Sequence, residues 1–259
     1  MEDTPHRPTS RVLDILECLA SAEEGLTLTQ IAAAVSAPKS SLFPFVHTLL
    51  QRRYLEMDKG TGRYRVGLNA FALAASYLET HSLFRMVTDA MRGIVDGCSE
   101  VCQLGILEGS QVLYIGKVDS PEPIRLVSHV GKRLPASCTA IGKALLCQYS
   151  EDELRTLYRQ ELPTLTVNSI RDFSVLASQL AAVRNGEAAV EVGESHEHIR
   201  CYAAPLFFRG GVDSAISVST PIFRHTEEKS AVIKAALFRA RAVIERCMEE
   251  AGEGLRPRA

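Results

Sequence analysis

At 259 residues, 46% hydrophobic and 23% charged, the chain has the composition of an ordinary globular protein of one or two domains, long enough to bury a sizeable core. Its net charge of −2 excludes a molecule that is basic throughout, so any nucleic-acid contact has to come from a local excess of positive charge. Met-Glu-Asp-Thr-Pro-His-Arg-Pro at the start lacks the apolar core of a signal peptide, no run approaches the ~18 apolar residues of a membrane span, and seven cysteines without framework spacing fit reduced thiols, so a cytoplasmic protein without membrane contact is expected.

Residues 1–9 read as a disordered tail. Ser10 is placed to cap a first helix, Arg11 to about Ala20, with Val12, Ile15, Leu16 and Leu19 inward. After a polar turn, Thr27 and Gln30 have the spacing of a capping box, and Leu28, Ile31 and Val35 follow at helical period. Ser36 and Ala37 interrupt. Pro38 opens a third helix to about Arg53, with Leu42, Phe45, Val46, Leu49 and Leu50 on one side. Two short helices joined by a tight turn make a helix-turn-helix, whose second helix enters the major groove. Residues 54–58 and 63–66 alternate like strands around the turn Lys59-Gly-Thr-Gly62, which makes the head winged, over residues 10–67. A small helical domain with a hairpin and no nucleic-acid role is the bland alternative.

Val35 to Gly67 carries Lys39, Arg52, Arg53, Lys59, Arg63 and Arg65 against Glu56 and Asp58, six cations to two carboxylates. Such an excess is what phosphate contact requires. Lys39, Ser40 and Ser41 open the reading helix, where amides and hydroxyls suit phosphate oxygens. Phe43 and His47 belong to its exposed side; Phe43 either touches a thymine methyl or sugar, or packs on the wing or first helix. Thr27, Arg52, Arg63 and Arg65 complete the candidate DNA-binding set. Pro44 lies past the first turn and removes a backbone hydrogen bond, which predicts a kinked or late-starting helix.

Residues 68–80 form an apolar linker helix with Phe71, Leu73, Ala74, Ala75 and Leu78. His81-Ser82 marks the boundary of a second domain, 81–251, followed by a tail, 252–259. A helix from Leu83 to Cys98 turns Met86, Val87, Met91, Ile94 and Val95 inward. Strands are expected at 101–107, 111–118, 124–127, 188–192, 201–208 and 215–220. Helices are expected at 138–148, 151–158, 173–185 and 227–250, with Gly186 as a natural stop. Antiparallel strands with helices at their ends are an α+β pattern.

Three stretches of this second domain set polar groups among apolar neighbours, as small-molecule pockets do. Thr139-Ala-Ile-Gly-Lys143 is a loop-to-helix junction whose amides suit a carboxylate. Cys201 opens an apolar strand. Ser217 and Ser219 share one sheet face.

Several segments resemble the IclR family of bacterial transcriptional regulators: Arg11-Val-Leu-Asp-Ile-Leu, Leu28-Thr-Gln-Ile-Ala, Pro38-Lys-Ser-Ser, Arg52-Arg-Tyr-Leu, Gly62-Arg-Tyr-Arg-Val-Gly, and Leu134-Pro-Ala-Ser-Cys-Thr-Ala-Ile-Gly-Lys-Ala-Leu-Leu. Their order and spacing span about Arg11 to Cys247. The resemblance implies a GAF-like effector domain, dimer contacts on the linker helix, double-stranded operator DNA as partner, and assembly as a homodimer or dimer of dimers. It also implies a small organic acid as effector, held by the amides of Ala140 and Ile141, by Glu191 where relatives often have Asp, and by Cys201, Ser217 and Ser219. Leu126 and Leu134 are plausible apolar walls. Pro44 departs from the family pattern, which often has Arg near this point, so operator sequence does not carry over.

No cofactor or metal is expected: His196-Glu-His198 and Cys98-x3-Cys102 contain ligand residue types at non-standard spacing. A thiol-based redox-sensing regulator, using Cys98, Cys102, Cys138, Cys147 or Cys201, and a cysteine hydrolase, with Cys201 as nucleophile and His196 or His198 as base, are the alternatives. The expected function is a regulator, a repressor relieved by ligand, and not an enzyme.

Overall fold

The computed structural model describes residues 6–22, 24–80, 82–126 and 128–256, with the backbone alone for 77–80. The chain divides into two compact units, Met1–His81 and Ser82–Ala259.

In the first unit, α1 spans Arg7–Ala20. It begins earlier than Ser10, because Pro8 fits a first helical turn, where its missing N–H costs nothing, and the Ser10 amide already donates to the His6 carbonyl at 3.0 Å. Residues 6–9 are therefore ordered, and the rest of the expected tail, 1–5, lies outside the described residues. Helix α2 (Leu28–Ala34) starts on a complete capping box: the Gln30 amide donates to Thr27 Oγ1 at 3.4 Å, and the Thr27 amide to Gln30 Oε1 at 2.9 Å.

Helix α3 runs unbroken from Lys39 to Gln51 through Pro44. The expected late start does not occur. Pro38 is the N-cap rather than the first helical residue, and its carbonyl accepts from the amides of Ser41 and Leu42 at 3.1 and 3.3 Å. Pro44 removes the single bond its N–H would have made to the Ser40 carbonyl, while Leu42, Val46 and Leu49 anchor the helix on both sides of it. The core joins these three side chains to Ile15, Leu19, Ile31 and Leu55. Strands β2 (Leu55–Met57) and β3 (Arg63–Val66) form the wing. A two-residue strand β1 (Leu26–Thr27), too short to leave a sequence pattern, pairs with β3 and closes a sheet of order β1-β3-β2. Helix α4 (Leu68–Thr80) follows, with Leu68, Phe71 and Leu73 all more than half exposed.

The second unit is built on an antiparallel sheet of order β6-β5-β4-β9-β8-β7, an α+β arrangement. Its strands are β4 (Val101–Glu108), β5 (Gln111–Val118), β6 (Arg133–Pro135), β7 (Ala189–Val192), β8 (Ile199–Phe208) and β9 (Gly211–Pro221). No strand forms at 124–126. That stretch belongs to the connection between β5 and β6, and Arg125 is drawn into local contacts with Asp119 and the Glu122 carbonyl instead of a ladder. One sheet face packs on α5 (Ser82–Cys98) and α9 (Glu227–Ala251). Met86, expected inward on α5, is 39% exposed, and Leu83 is buried one turn earlier. The other face packs on α6 (Ala140–Leu145), α7 (Glu151–Leu157) and α8 (Phe173–Arg184). The helix expected over 138–148 is shorter because a 3-10 turn, Ala136–Cys138, precedes α6, and Thr139 caps it by accepting from the Gly142 amide at 3.0 Å. Gly142 is required there: a Cβ would lie 2.1 Å from the Ala136 carbonyl oxygen.

Candidate functional site

The first unit presents α3 and its wing. Lys39 and Ser40 stand exposed in the first turn of α3. Ser41 is exposed, but its hydroxyl donates to the Pro38 carbonyl at 2.8 Å, which leaves it as a local brace. Thr27 is half-buried and its hydroxyl serves the cap. Phe43 is 55% exposed. Its ring stacks on His47 one turn further, with centroids 5.8 Å apart and planes at 24°. Arg52 is exposed at the end of α3. On the wing, Arg65 is exposed and reaches the Glu24 carbonyl at 3.4 Å. Arg63 is half-buried and donates to the Gly25 carbonyl at 2.7 Å, which ties β3 to the turn before β1. The outward face of the reading helix therefore joins one lysine at its start to a stacked aromatic pair, and its Arg-free centre is Phe43-Pro44.

The second unit holds a cavity of about 340 Å³ on the α6 side of the sheet. Seven of the eight expected effector residues line it: Leu126, Leu134, Ala140, Ile141, Cys201, Ser217 and Ser219. Strand pairing brings the polar ones together, since Cys201 faces Ser219 across β8 and β9 and Ser217 faces Gln103 across β9 and β4. Both serines are buried, at 2% and 1% exposure, so they are not a solvated strand face. Cys201 Sγ lies 3.2 Å from Ser219 Oγ, and Ser219 Oγ donates to Gln103 Oε1 at 3.3 Å. Gln103 Nε2 passes the chain on to Ser128 Oγ at 2.8 Å. As the first two residues of α6, after the extended N-cap Thr139, Ala140 and Ile141 have no carbonyl within their own helix to receive their amides.

Glu191 is placed differently. It is fully buried behind the cavity lining, and its Oε1 accepts from the amides of Glu194 and Ser195 at 2.6 and 2.9 Å, holding the loop that carries Ser195 and His196 to the cavity wall. Among the described residues its Oε2 has no partner within ordinary hydrogen-bond geometry, though the Cys201 thiol lies close enough to affect its charge. Burial pushes the Glu191 carboxyl above the usual range, against the lowering effect of its amide donors and Lys143. Lys143, 1% exposed, donates to Glu194 Oε1 at 2.6 Å and to the Val190 carbonyl at 3.1 Å, so a buried ion pair joins α6 to the same loop. Burial raises Glu194 as well, despite Lys143. The longer Glu side chain thus acts as a loop cap, a use that its residue type alone does not announce.

Sequence reasoning missed Gln103, Tyr114, Arg125, Ser128, Lys132 and Ser195 in the lining. A glutamine inside the apolar run of β4 was the one available signal. His196 lines the cavity from an exposed loop, and its ring meets that of His198 edge-on at 5.9 Å.

The cysteines offer little to oxidants. Cys98, Cys102, Cys138, Cys147 and Cys201 are buried, all seven are free, and Cys18 and Cys247 are half-buried. Burial pushes the Cys201 thiol well up, with Glu191 adding to the effect, so it is a poor thiolate source for hydrolysis or redox sensing. No described helix is long and apolar enough to cross a membrane.

Comparison with known proteins places these two units together. Residues 8–59 match the IclR helix-turn-helix domain and residues 75–245 match the C-terminal domain of bacterial transcriptional regulator IclR. The HTH-type transcriptional regulator KdgR of Dickeya chrysanthemi is 32% identical over 84% of this chain and 72% of its own. The crystal structure of an IclR transcriptional regulator from Alicyclobacillus acidocaldarius has the same fold, with a TM-score of 0.85 at 23% identity over 94% of this chain and 99% of that one. An IclR homolog from Microbacterium hydrocarbonoxydans, crystallised with 4-hydroxybenzoate, superposes with a TM-score of 0.79 at 21% identity over 93% and 99% of the two chains. With a winged helix-turn-helix in one unit, a polar-floored cavity in the other and family matches over both, the chain belongs to the IclR family of bacterial transcriptional regulators, whose members are regulators and not enzymes.

Proposed function

We propose that this protein is a repressor whose operator affinity is lowered by a small organic acid bound in the cavity of the second unit. The observation that carries the reading is the composition of that cavity. Hydroxyls, a thiol, a carboxamide and two helix-start amides converge in a small space, no carboxylate lines it among the described residues, and Leu126, Leu134 and Ile141 supply apolar wall. Burial favours the neutral form of Glu191, which lowers the cost of placing an anion in front of it. The 4-hydroxybenzoate bound by the Microbacterium relative is itself a carboxylate, which agrees with this chemistry.

In this reading Lys39, Ser40, Phe43, His47 and Arg52 meet DNA, with Arg65 on the wing. The exposed Leu68, Phe71 and Leu73 of α4 are covered by a second copy, giving a homodimer or dimer of dimers. Ligand acts only through a difference in affinity for two arrangements of the protein, and a coupling of about 1–3 kcal/mol changes DNA affinity roughly 5–150-fold.

The test is binding of the purified protein to its own upstream DNA at two salt concentrations, with and without a panel of small carboxylates. Salt-sensitive, sequence-preferring binding that weakens with one acid is the expected result. Ser217→Ala with Ser219→Ala should then abolish the response to the acid while DNA binding stays. Tighter binding with the acid would make the protein an activator-type regulator, and a retained response in the double variant would remove the cavity from the reading.

A further inference from the structure

The rim of the cavity carries a charge imbalance that its floor does not explain. Arg125 and Lys132 both line it, and both come from the 119–132 connection between β5 and β6. Asp119 pairs with Arg125, and it is shared: Lys117 holds it at 2.7 Å and Arg125 reaches it at 3.5 Å. Lys132 is half-buried, and among the described residues its ammonium has no carboxylate partner. The neighbouring Arg133 turns the other way, to Glu108 at 2.7 Å. Of the described residues that line the cavity, Arg125 and Lys132 carry positive charge, Arg125 shares Asp119 with Lys117, and none is an acid.

With its ammonium at the rim and no carboxylate beside it, Lys132 can receive a charged group of a ligand. The floor already provides neutral donors for one carboxylate, through Ser217 and the amides of Ala140 and Ile141. Leu126 and Leu134 provide apolar wall for a short carbon spacer. At about 340 Å³ the cavity is at the small end of the ~300–1,000 Å³ of ligand pockets. Resting on the reading that an anionic effector occupies this cavity, we propose that the effector is a small dicarboxylate, with one carboxylate on the floor and the second received by Lys132 and Arg125.

The connection that bears these cations is also tied to the floor, by the bond from Gln103 to Ser128 Oγ and by the bond from Lys117 Nζ to the Ser128 carbonyl at 2.7 Å. A second carboxylate held at the rim therefore fastens the roof of the cavity as well as filling it. A monoacid of equal length leaves Lys132 unsatisfied.

Calorimetry on the full-length protein tests the proposal with matched pairs: butanoate and butanedioate, pentanoate and pentanedioate, hexanoate and hexanedioate, benzoate and benzene-1,4-dicarboxylate. In the best-binding pair the diacid is expected to bind about tenfold more tightly or better, the range that a charge-assisted hydrogen bond supplies. Lys132→Gln with Arg125→Gln should bring the ratio of the two affinities toward one, and Lys132→Arg should keep it. Circular dichroism of each variant checks that it is folded. Diacids no tighter than monoacids, with monoacids bound, would overturn the second subsite and leave the anionic effector standing. Binding of neither kind would overturn both the subsite and the effector reading on which it rests. A preference for diacids that survives in the double variant would also overturn the assignment to Lys132 and Arg125.

Discussion

Lys143→Met removes the ammonium that Glu194 Oε1 holds at 2.6 Å while keeping most of the side-chain volume. The two side chains are 1% and 9% exposed, so water does not take over the role of the lysine. Removing one partner of a buried pair costs about 3–5 kcal/mol, because the charge left behind is uncompensated. Glu191 deepens the problem here, since it is fully buried beside the pair and among the described residues its Oε2 has no partner within ordinary hydrogen-bond geometry. For a unit of this size the loss corresponds to a fall in melting temperature of roughly 6–20 °C. The sign with pH follows from the carboxyls. Burial raises Glu191 and Glu194 above their usual range, and Lys143 opposes the rise in both. A raised acid stabilises the folded state below its unfolded pKa and loses that contribution as pH rises through its folded pKa. Without Lys143 both rise further, so the deficit of the variant should grow as pH rises from the unfolded carboxyl value toward neutrality and above. Thermal unfolding of the full chain, followed by circular dichroism at several pH values, measures this. A deficit below about 1 kcal/mol, or one that does not change with pH, would refute the argument that this ion pair holds α6 to the 191–196 loop.

Further perturbations separate the roles on the DNA-binding unit. Replacing thymine by deoxyuridine in each operator half-site removes a methyl worth about 0.8 kcal/mol where it is buried, so binding should weaken about fourfold per contacted methyl. Phe43→Ala should abolish the difference between the two DNAs, whereas equal affinity of the unaltered protein for both would show that Phe43 reads no methyl. Lys39→Ala and Arg52→Ala should each lower the salt slope of DNA binding by about one without moving the melting temperature. Arg63→Ala should instead cost about 0.5–1.5 kcal/mol of stability by freeing β3 from Gly25, and an unchanged melting temperature would show that the bond to the Gly25 carbonyl contributes nothing.

The elements legible in the sequence were those whose cause is local. The capping box at Thr27 and Gln30, the apolar faces of α5 and α9, and the alternation at Ser217 and Ser219 each follow from a few neighbouring side chains. Non-local partners decided the rest. Lys143 sits in a run of small and apolar residues, and its burial becomes sensible only when Glu194, 51 positions away, closes over it. Glu191 has the residue type of a ligand group, yet the amides of Glu194 and Ser195 claim its oxygen. Leu126 lines the cavity although its stretch was read as strand, because apolarity records burial without recording backbone conformation. Pro44 shows the converse. A strong local rule predicted a disturbed helix start, and core contacts on both sides of the proline outweighed one missing hydrogen bond.

The distribution of the cysteines has a practical consequence. Five are shut inside the second unit, while Cys18 on α1 and Cys247 on α9 are each half-open, one in either unit. The natural chain therefore carries one addressable sulfur per unit and needs no cysteine removal before coupling a donor and an acceptor dye. Burial raises the Cys18 thiol, so coupling proceeds best in mildly alkaline buffer. Energy transfer between the two dyes, followed as an acid is titrated in, would report the distance from the DNA-binding head to the ligand-binding unit in the unmutated sequence.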